Sequence, residues 1–497
     1  MTATRTRQRG GREAIPVLLG LAAVKVAVHL ATAGRYGWHR DELYYAAAGR
    51  HLAFGYPDFP PVTPLLARLS ELVFGGSLAG FRVLPALAGA AIVVLAGLLA
   101  RELGGGRAAQ GLAGLAVLGS PMFLGANALL QTVTFDQLAW VVVLFLLTRL
   151  LRTDDPRWWP AVGAAVGVGL QTKFTMFTLA LGIAVGVLAT PVRRHLRTPW
   201  PWLAAGIALV VLAPNLVWQA VNGWPTLEFL DHQTTEVAGE ESPLSFAVDT
   251  LLLVGPLALP LCAGGLWVLF SRTRYRALGW TCLVPPVVML ATQAKAYYAG
   301  PLYPLLLAAG AVGVESLAVG RGRPWLARTA AIAVVAGGLV AAPIALPVLP
   351  ARQMVDVGLA EAREDWAEML GWPELAATVA AAWGQLPPSQ RARASIVTGN
   401  YGQAGAIDRF GPDLGLPAAT SGHNGYWFWA GDGQPGAPVV AVGIPVERLA
   451  GVCDGARQVA TLGNPYGVAN EERGRPVMVC PSTSVPLRHW PHLRHFG

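Results

Sequence analysis

Charge is what this chain has least of. Lysine, arginine, aspartate and glutamate make up 13% of its 497 residues, against 54% hydrophobic ones. That balance excludes a disordered chain, which needs many charges and few apolar groups. The net charge of +8 does not indicate a nucleic-acid binder either. Its basic residues fall in short clusters between apolar runs, and no basic soluble face is evident. Cysteine is scarce, four in all, with no CxxC pair and no His/Cys spacing for zinc. Cys262 and Cys282 lie inside apolar runs, where a thiol packs as a small hydrophobe. Cys453 and Cys480 lie in the polar C-terminal part, and a disulfide between them is expected if that part is outside the cytoplasm. No long repeat and no G-x-G-x-x-G loop occurs. No small-residue cleavage site follows the basic N-terminus, so the first apolar run is expected to stay as an uncleaved helix.

Apolar runs of about 20 residues, the length that crosses a bilayer, recur from residue 15 to about residue 350. The fold expected is an all-α polytopic membrane protein of about eleven transmembrane helices, with a small extracytoplasmic C-terminal α/β domain. The spans are read at about 15–33, 81–101, 108–126, 137–151, 157–171, 174–190, 201–220, 247–270, 277–293, 298–318 and 325–349. Residues 1–350 form the membrane domain, with a long first outer loop at 34–80. Residues 351–497 form the soluble domain. One set of loops carries basic clusters at residues 5–12, 193–197, 272–276 and 321–328. The opposite set, after the first loop, holds only isolated cations such as Lys173 and Lys295. The positive-inside rule then puts the N-terminus in the cytoplasm and the C-terminal domain outside. On that topology the carboxylates gather on the outer side, from Asp41, Asp58 and Asp136 to Glu240 and Glu241.

The first outer loop opens with Tyr36-Gly-Trp-His-Arg-Asp-Glu-Leu-Tyr-Tyr45, a run of polar groups framed by aromatics at the end of an apolar helix. Such clusters mark the meeting of water, headgroup and protein. Two amphipathic stretches, 43–52 and 63–74, suit helices lying in the interface. Between them Gly55-Tyr-Pro-Asp-Phe-Pro-Pro61 is rigid and non-helical, because proline fixes φ and removes donors. Asp41 or Glu42 is placed to act as a general base on an acceptor hydroxyl. Neighbouring helical residues do not share a face, so one of the pair, Asp41, is favoured. Acidic residues also suit the first turn of a helix, and both roles can hold at once.

The order Arg40-Asp-Glu-Leu-Tyr-Tyr45, then 55–61, resembles the first outer loop of bacterial glycosyltransferase family 39 proteins. These are GT-C relatives of protein O-mannosyltransferases and aminoarabinose transferases. Thr134-Phe-Asp136, Gln171-Thr-Lys-Phe174, Asn222-Gly-Trp-Pro-Thr-Leu-Glu-Phe229 and Lys295-Ala-Tyr-Tyr-Ala-Gly-Pro-Leu-Tyr-Pro304 continue the likeness in order, over about residues 15–320. The resemblance implies a polyprenyl-phosphate-linked sugar donor, inverting transfer and a site at the outer membrane face. Asp41 would be the catalytic carboxylate and Asp136 the second acid. In some relatives an equivalent acidic pair holds a metal, so Asp41 and Asp136 are also candidate ligands of a divalent ion, although no cofactor is required. The sequence departs from the aminoarabinose branch at Asp58-Phe-Pro-Pro61, which keeps the acid and lacks the phosphate-binding lysine.

Lys173 and Lys295 could fill that gap, because a departing lipid phosphate needs a cation. Snorkelling to the interface is the other reading of both. Arg40, Asp58, Asp136 and Tyr298 are further donor-side candidates. Lys25 and His29, four apart in the first span, are read as structural. In the C-terminal domain, Ser421-Gly-His-Asn-Gly-Tyr-Trp-Phe-Trp429 sets His423, Asn424 and Trp427 where they could hold an acceptor or cover the site; a turn packed on its own core is the alternative. Strands are expected at 393–398, 438–443 and 476–479, and a helix over 353–383 broken at Pro373. Gly399, Gly402 and Gly405 follow the first strand without the spacing of a nucleotide loop. The function expected is glycosyl transfer from the lipid-linked donor to an extracytoplasmic lipid, glycan or protein in a bacterial plasma membrane. Membrane lipids are partners and nucleic acid is not. A transporter or lipid flippase, or an inactive glycan- or lipid-binding relative, are the alternatives; transporters would show paired broken helices near the midplane.

Overall fold

The computed structural model describes residues 14–236, 242–431, 433–453 and 455–497. The basic cluster at 5–12, and Glu240 and Glu241, lie outside them. The chain divides into two compact units. One holds residues up to Ala33, Arg82–Leu216 and Val237–Leu346; the other holds Gly34–Phe81, Val217–Glu236 and Pro347–Gly497.

The first unit is helical. Its helices are α1 (Ile15–Thr32) and then, after the loop helices α2 (Arg40–Arg50), α3 (Val62–Phe74) and α4 (Leu78–Phe81) of the second unit, α5 (Val83–Glu102), α6 (Arg107–Gly119), α7 (Pro121–Ala126) and α8 (Thr132–Thr153). There follow α9 (Trp159–Leu170), α10 (Met176–Leu188), α11 (Trp200–Val221), the loop helix α12 (Pro225–Glu236), α13 (Pro243–Val254) and α14 (Leu259–Ser271). The last three are α15 (Arg276–Ala291), α16 (Tyr303–Gly320) and α17 (Trp325–Ala345). Among the described residues six stretches are long and apolar enough to cross a bilayer: Ile15–Thr32, Leu78–Glu102, Thr132–Thr153, Trp200–Val221, Ala296–Gly320 and Trp325–Ala345. The chain is therefore a multi-pass membrane protein. Two bent pairs raise the number to 8 if each is counted as one broken span.

The span expected at 247–270 is one of these pairs. It breaks between α13 and α14 with a bend of 101°, because Gly255 adopts φ +92° and Pro256 cannot continue the ladder. Small residues let the remaining helices touch backbone to backbone. A Cβ on Gly265 of α14 would fall 1.9 Å from the Leu306 carbonyl, and one on Gly310 of α16 2.0 Å from that of Leu261. Lipid tails offer helices no hydrophobic drive to associate, so this close van der Waals approach takes its place. The buried Lys25 donates to the Phe123 carbonyl at 2.5 Å, and His29 meets that of Leu124 at 3.1 Å. Both contacts fall on α7, whose short length leaves carbonyls in need of donors.

The second unit combines the first loop with the C-terminal residues. The helix α2 starts with a capping box: the His39 side chain accepts from Asp41 N, and Glu42 accepts from His39 N at 3.1 Å. Five short strands form one mixed sheet in the order β2-β1-β3-β5-β4, with β1 Ser395–Thr398, β2 Ala419–Ser421, β3 Val439–Val442, β4 Arg457–Thr461 and β5 Pro476–Cys480. β1 is parallel to β2 and β3, whereas β5 is antiparallel to β3 and β4. The three expected strands are the buried centre; the two unforeseen ones are the edges, which lack a run of apolar residues. A disulfide joins Cys453 to Cys480 across a Cα separation of 5.8 Å. The helix expected over 353–383 is a series of short ones, and Pro373 lies in the first turn of Trp372–Gly384, where its missing N–H leaves no bond unmade.

Candidate active site

Asp41 occupies the second position of α2, held there by the cap. Its Oδ1 accepts a hydrogen bond from the Tyr401 hydroxyl at 2.9 Å, across 360 residues of sequence. Burial, then the neighbouring Asp41 charge, raise the Tyr401 phenol well above its ordinary range, so it remains a donor. Asp41 Oδ2 has no partner among the described residues. Tyr401 starts the helix Tyr401–Phe410, and this helix crosses α2 through two glycines. A Cβ on Gly402 would fall 2.6 Å from Arg40 Cγ, and one on Gly405 2.9 Å from Leu43 Cβ. The glycines after β1 thus serve close helix packing that sets Tyr401 against Asp41.

Arg40 is held by acids. Its Nε lies 3.2 Å from Glu368 and its Nη1 2.5 Å from Glu471, with the guanidinium 5.4 Å above the Tyr401 ring. Burial is the largest influence on Glu368 and pushes its carboxyl up to about 7, against the pull of Arg40. The adjacent Glu42 is fully buried and its carboxylate serves the cap. Glu42 thus differs from Asp41 in being buried and bonded to the start of its own helix.

Asp58 forms a second centre in the same unit. The Tyr44 hydroxyl donates to Oδ1 at 3.0 Å and the Asn424 amide to Oδ2 at 3.0 Å. Removal from water is the main influence on Asp58 and pushes its carboxyl up to about 7. The Tyr44 oxygen in turn accepts from Gly425 N at 2.7 Å, and its ring stacks on Tyr401 at 4.5 Å. The C-terminal motif thus supplies Asn424 to this centre. His423 is packed between Tyr401 and His495, at 4.7 Å and 4.3 Å. Burial and then His495 push its imidazole down to about 3, which leaves it neutral. Trp427 lies under the Arg488 guanidinium at 5.6 Å.

The helical unit holds its own cluster. Asp136 falls in the second turn of α8, which begins at Thr132, ahead of the span read at 137–151, because Gln131 takes the extended capping conformation. The side chain is 3% exposed. Its Oδ2 accepts from the Thr175 hydroxyl at 2.8 Å, and its Oδ1 meets no hydrogen-bond geometry among the described residues. Lys173 sits with its ammonium 4.4 Å from the Tyr298 ring and 5.4 Å from that of Tyr297. Lys295 is exposed, just ahead of these tyrosines. Asp41 and Asp136 belong to different units. The surroundings of Asp41, a phenol donor and an arginine, suit an ion-paired carboxylate and fit a metal ion poorly. No group of three or more metal-ligating side chains exists among the described residues.

Residues 58–218 match the family described as dolichyl-phosphate-mannose-protein mannosyltransferase. No curated protein matches the chain. Among solved structures, ArnT from Cupriavidus metallidurans in the apo state is similar at 16% identity over 94% of this chain and 97% of that one, with a TM-score of 0.58. ArnT bound to undecaprenyl phosphate gives 18% identity, 94% and 98% coverage and a TM-score of 0.57. The fold is the GT-C fold. AglB from Archaeoglobus fulgidus, in complex with an inhibitory peptide and a dolichol-phosphate, shares this GT-C architecture at 14% identity over 87% of this chain and 69% of that one, with a TM-score of 0.52. The stretch 58–218 takes in Asp58, Asp136 and Lys173 but neither Asp41 nor Tyr401. Tyr401, Glu368 and Glu471 were not legible as site residues in sequence, because no motif surrounds them and only the helix crossing brings them to Arg40 and Asp41.

Proposed function

We propose that this chain is a lipid-linked-sugar glycosyltransferase, which moves a glycosyl group from a polyprenyl phosphate to a hydroxyl of an extracytoplasmic acceptor with inversion at the anomeric carbon. The observation that carries the reading is the likeness over 94% of the chain to ArnT, including its complex with undecaprenyl phosphate. On this reading Asp41 Oδ2 takes the proton of the acceptor hydroxyl as the new bond forms to the anomeric carbon. The bond from that carbon to the phosphate oxygen breaks on the opposite face, and the electron pair leaves on the polyprenyl phosphate. Carboxylates nearby stabilise the oxocarbenium-like charge that develops between. Tyr401 holds Asp41 in place, and Arg40 with its two glutamates fixes the start of α2 behind it. Lys173, with Tyr298, and the exposed Lys295 are the cations offered to the leaving phosphate. Asp58 and Asn424 order the loop that carries the acceptor side.

The same reading includes eleven spans, a cytoplasmic N-terminus and the C-terminal residues outside a bacterial plasma membrane. Its motivation is the clustering of basic residues on one set of loops. The test is transfer from a synthetic radiolabelled polyprenyl-phosphate sugar by the purified protein in nanodiscs, with envelope extracts as acceptor. Release of label into a non-lipid or new lipid product supports the reading. A protein that leaves the donor intact but carries it between leaflets of a vesicle would be a flippase instead.

A further inference from the structure

The second unit contains a cavity of about 330 Å³ that the chemistry above does not use. His51, Ala53 and Tyr56 line it from the loop after α2, Trp218 and Asn222 from the end of α11, and Trp429 with Gly425 and Phe428 from the C-terminal motif. Its volume lies at the small end of the range for small-molecule sites.

The lining restricts what could fill it. Among the described residues no lysine, arginine, aspartate or glutamate borders the cavity, so they offer no charged partner to a phosphate or to a charged peptide. Its rings are fixed against one another. Trp218 lies 5.5 Å from Phe428 at 55° and 6.4 Å from Tyr56. Trp429 stacks on His51 at 4.6 Å and 13°, and meets Tyr56 nearly edge-on at 6.3 Å. Rings held this way present apolar faces at little further cost in entropy.

Two polar groups interrupt the apolar surface. Asn222 donates its amide to the Trp218 carbonyl at 2.8 Å, which leaves Oδ1 without a partner among the described residues. His51 uses Nδ1 on the Ala47 carbonyl at 3.1 Å and likewise leaves Nε2. An alkyl chain in the cavity would strip water from both groups and return nothing. A ligand with apolar C–H faces and a rim of neutral hydroxyls would cover the rings and satisfy both groups. A sugar ring has this composition.

The cavity wall also connects to the acidic centre. Gly425, which lines it, donates its N–H to the Tyr44 oxygen, and Tyr44 donates to Asp58. We propose that the cavity is a neutral-carbohydrate subsite, which holds a sugar ring of the acceptor against Trp218 and Trp429, with its hydroxyls donating to Asn222 Oδ1 and His51 Nε2. The proposal rests on the transferase reading and narrows the acceptor to one that carries carbohydrate.

Saturation-transfer NMR on the full-length protein in nanodiscs tests it, with methyl α-glucoside, maltose, a neutral serine-containing decapeptide and farnesyl phosphate as probes. The result expected is saturation of the ring protons of at least one sugar, lowered about tenfold in Trp429→Ala and in Asn222→Ala. The decapeptide and farnesyl phosphate should not compete for the site. Asn222→Ala keeps the proposal testable where Trp429→Ala fails to fold, as judged by circular dichroism. Saturation equal in wild type and Asn222→Ala, no saturation of either sugar, or displacement by the peptide or by farnesyl phosphate would each overturn it. Donor turnover by the wild-type protein is measured separately. Sugar binding without turnover counts against the transferase reading alone, and turnover without sugar binding counts against the subsite alone.

Discussion

Asn424 donates its amide to Asp58 at 3.0 Å, although 366 residues separate them. The other end of the same amide accepts from Gly497 N at 3.2 Å. Gly497 therefore orients the group that satisfies a carboxylate in the first loop. Asn424 does this at φ +48°, a left-handed conformation that asparagine tolerates better than most residues.

Removing this amide should weaken the second unit. Asn424→Gly keeps the backbone conformation and loses the side chain, so its effect isolates the hydrogen bonds; about 1–3 kcal/mol is expected for a half-satisfied buried carboxylate. Asn424→Ala adds backbone strain and should be worse. Thermal unfolding of the two purified variants checks the order, and equal midpoints for wild type and Asn424→Gly would show that the amide stabilises nothing.

Asp58 and Glu368 also set a pH dependence. Each has a folded-state carboxyl raised to about 7, from ordinary values of 3.8 and 4.5. A raised carboxyl means that the folded state holds more protons than the unfolded state across that interval, so stability falls as pH rises through it. The contribution of these two groups is fully present below about pH 4 and lost by about pH 7. Asp58→Asn cannot ionise and should flatten part of the slope. The check is the melting temperature from pH 4.5 to 7.5; a variant with the wild-type slope would place the ionisation elsewhere.

The packing of α2 on the helix Tyr401–Phe410 leaves no room for side chains at its crossing. Gly405→Val should push the helices apart and cost about 1–3 kcal/mol, the range for overpacking. It should also lower transfer more than stability alone explains, because Tyr401 would leave Asp41. Gly384→Val serves as a control, since nothing lies within 4 Å of its Cβ position and its φ is not left-handed. Transfer per folded molecule distinguishes the two.

The course of the chain was readable where one physical signal dominates. The helix Ile15–Thr32, the two loop helices and the buried strands β1, β3 and β5 follow from apolar run length, amphipathic spacing and alternation. The bend at Gly255 was not readable, because a glycine and a proline inside an apolar run are common in spans that stay straight enough to cross. Asp41 and Asp58 stood out because carboxylates are rare in so apolar a chain. Glu42 stood out for the same reason, and only the capping geometry separates its role from that of its neighbour. Tyr401 had no such contrast: a tyrosine after a short strand is ordinary, and a contact across 360 residues leaves no local trace.

The pairing of Asp41 with Tyr401 gives the sharpest test of the proposed chemistry. Asp41→Asn preserves the shape of the side chain and removes the base, so transfer should fall by about 10²- to 10⁴-fold, the usual range for general acid–base catalysis. Tyr401→Phe retains the ring that stacks on Tyr44 and deletes only the donor to Asp41. A hydrogen bond to a charged group contributes about 1.5–3 kcal/mol, so kcat should fall by roughly 10- to 100-fold if that contribution positions the base in the transition state. The KM for the donor should change little, since Tyr401 is given no part in holding phosphate. The two effects should not multiply: once the base is gone, its orientation no longer matters, and Asp41→Asn with Tyr401→Phe should be no slower than Asp41→Asn alone. Single-turnover rates with a radiolabelled polyprenyl-phosphate sugar measure all four proteins. A double variant slower than Asp41→Asn by the full Tyr401→Phe factor would mean that Tyr401 acts independently of Asp41, and wild-type turnover by Asp41→Asn would remove Asp41 from the mechanism.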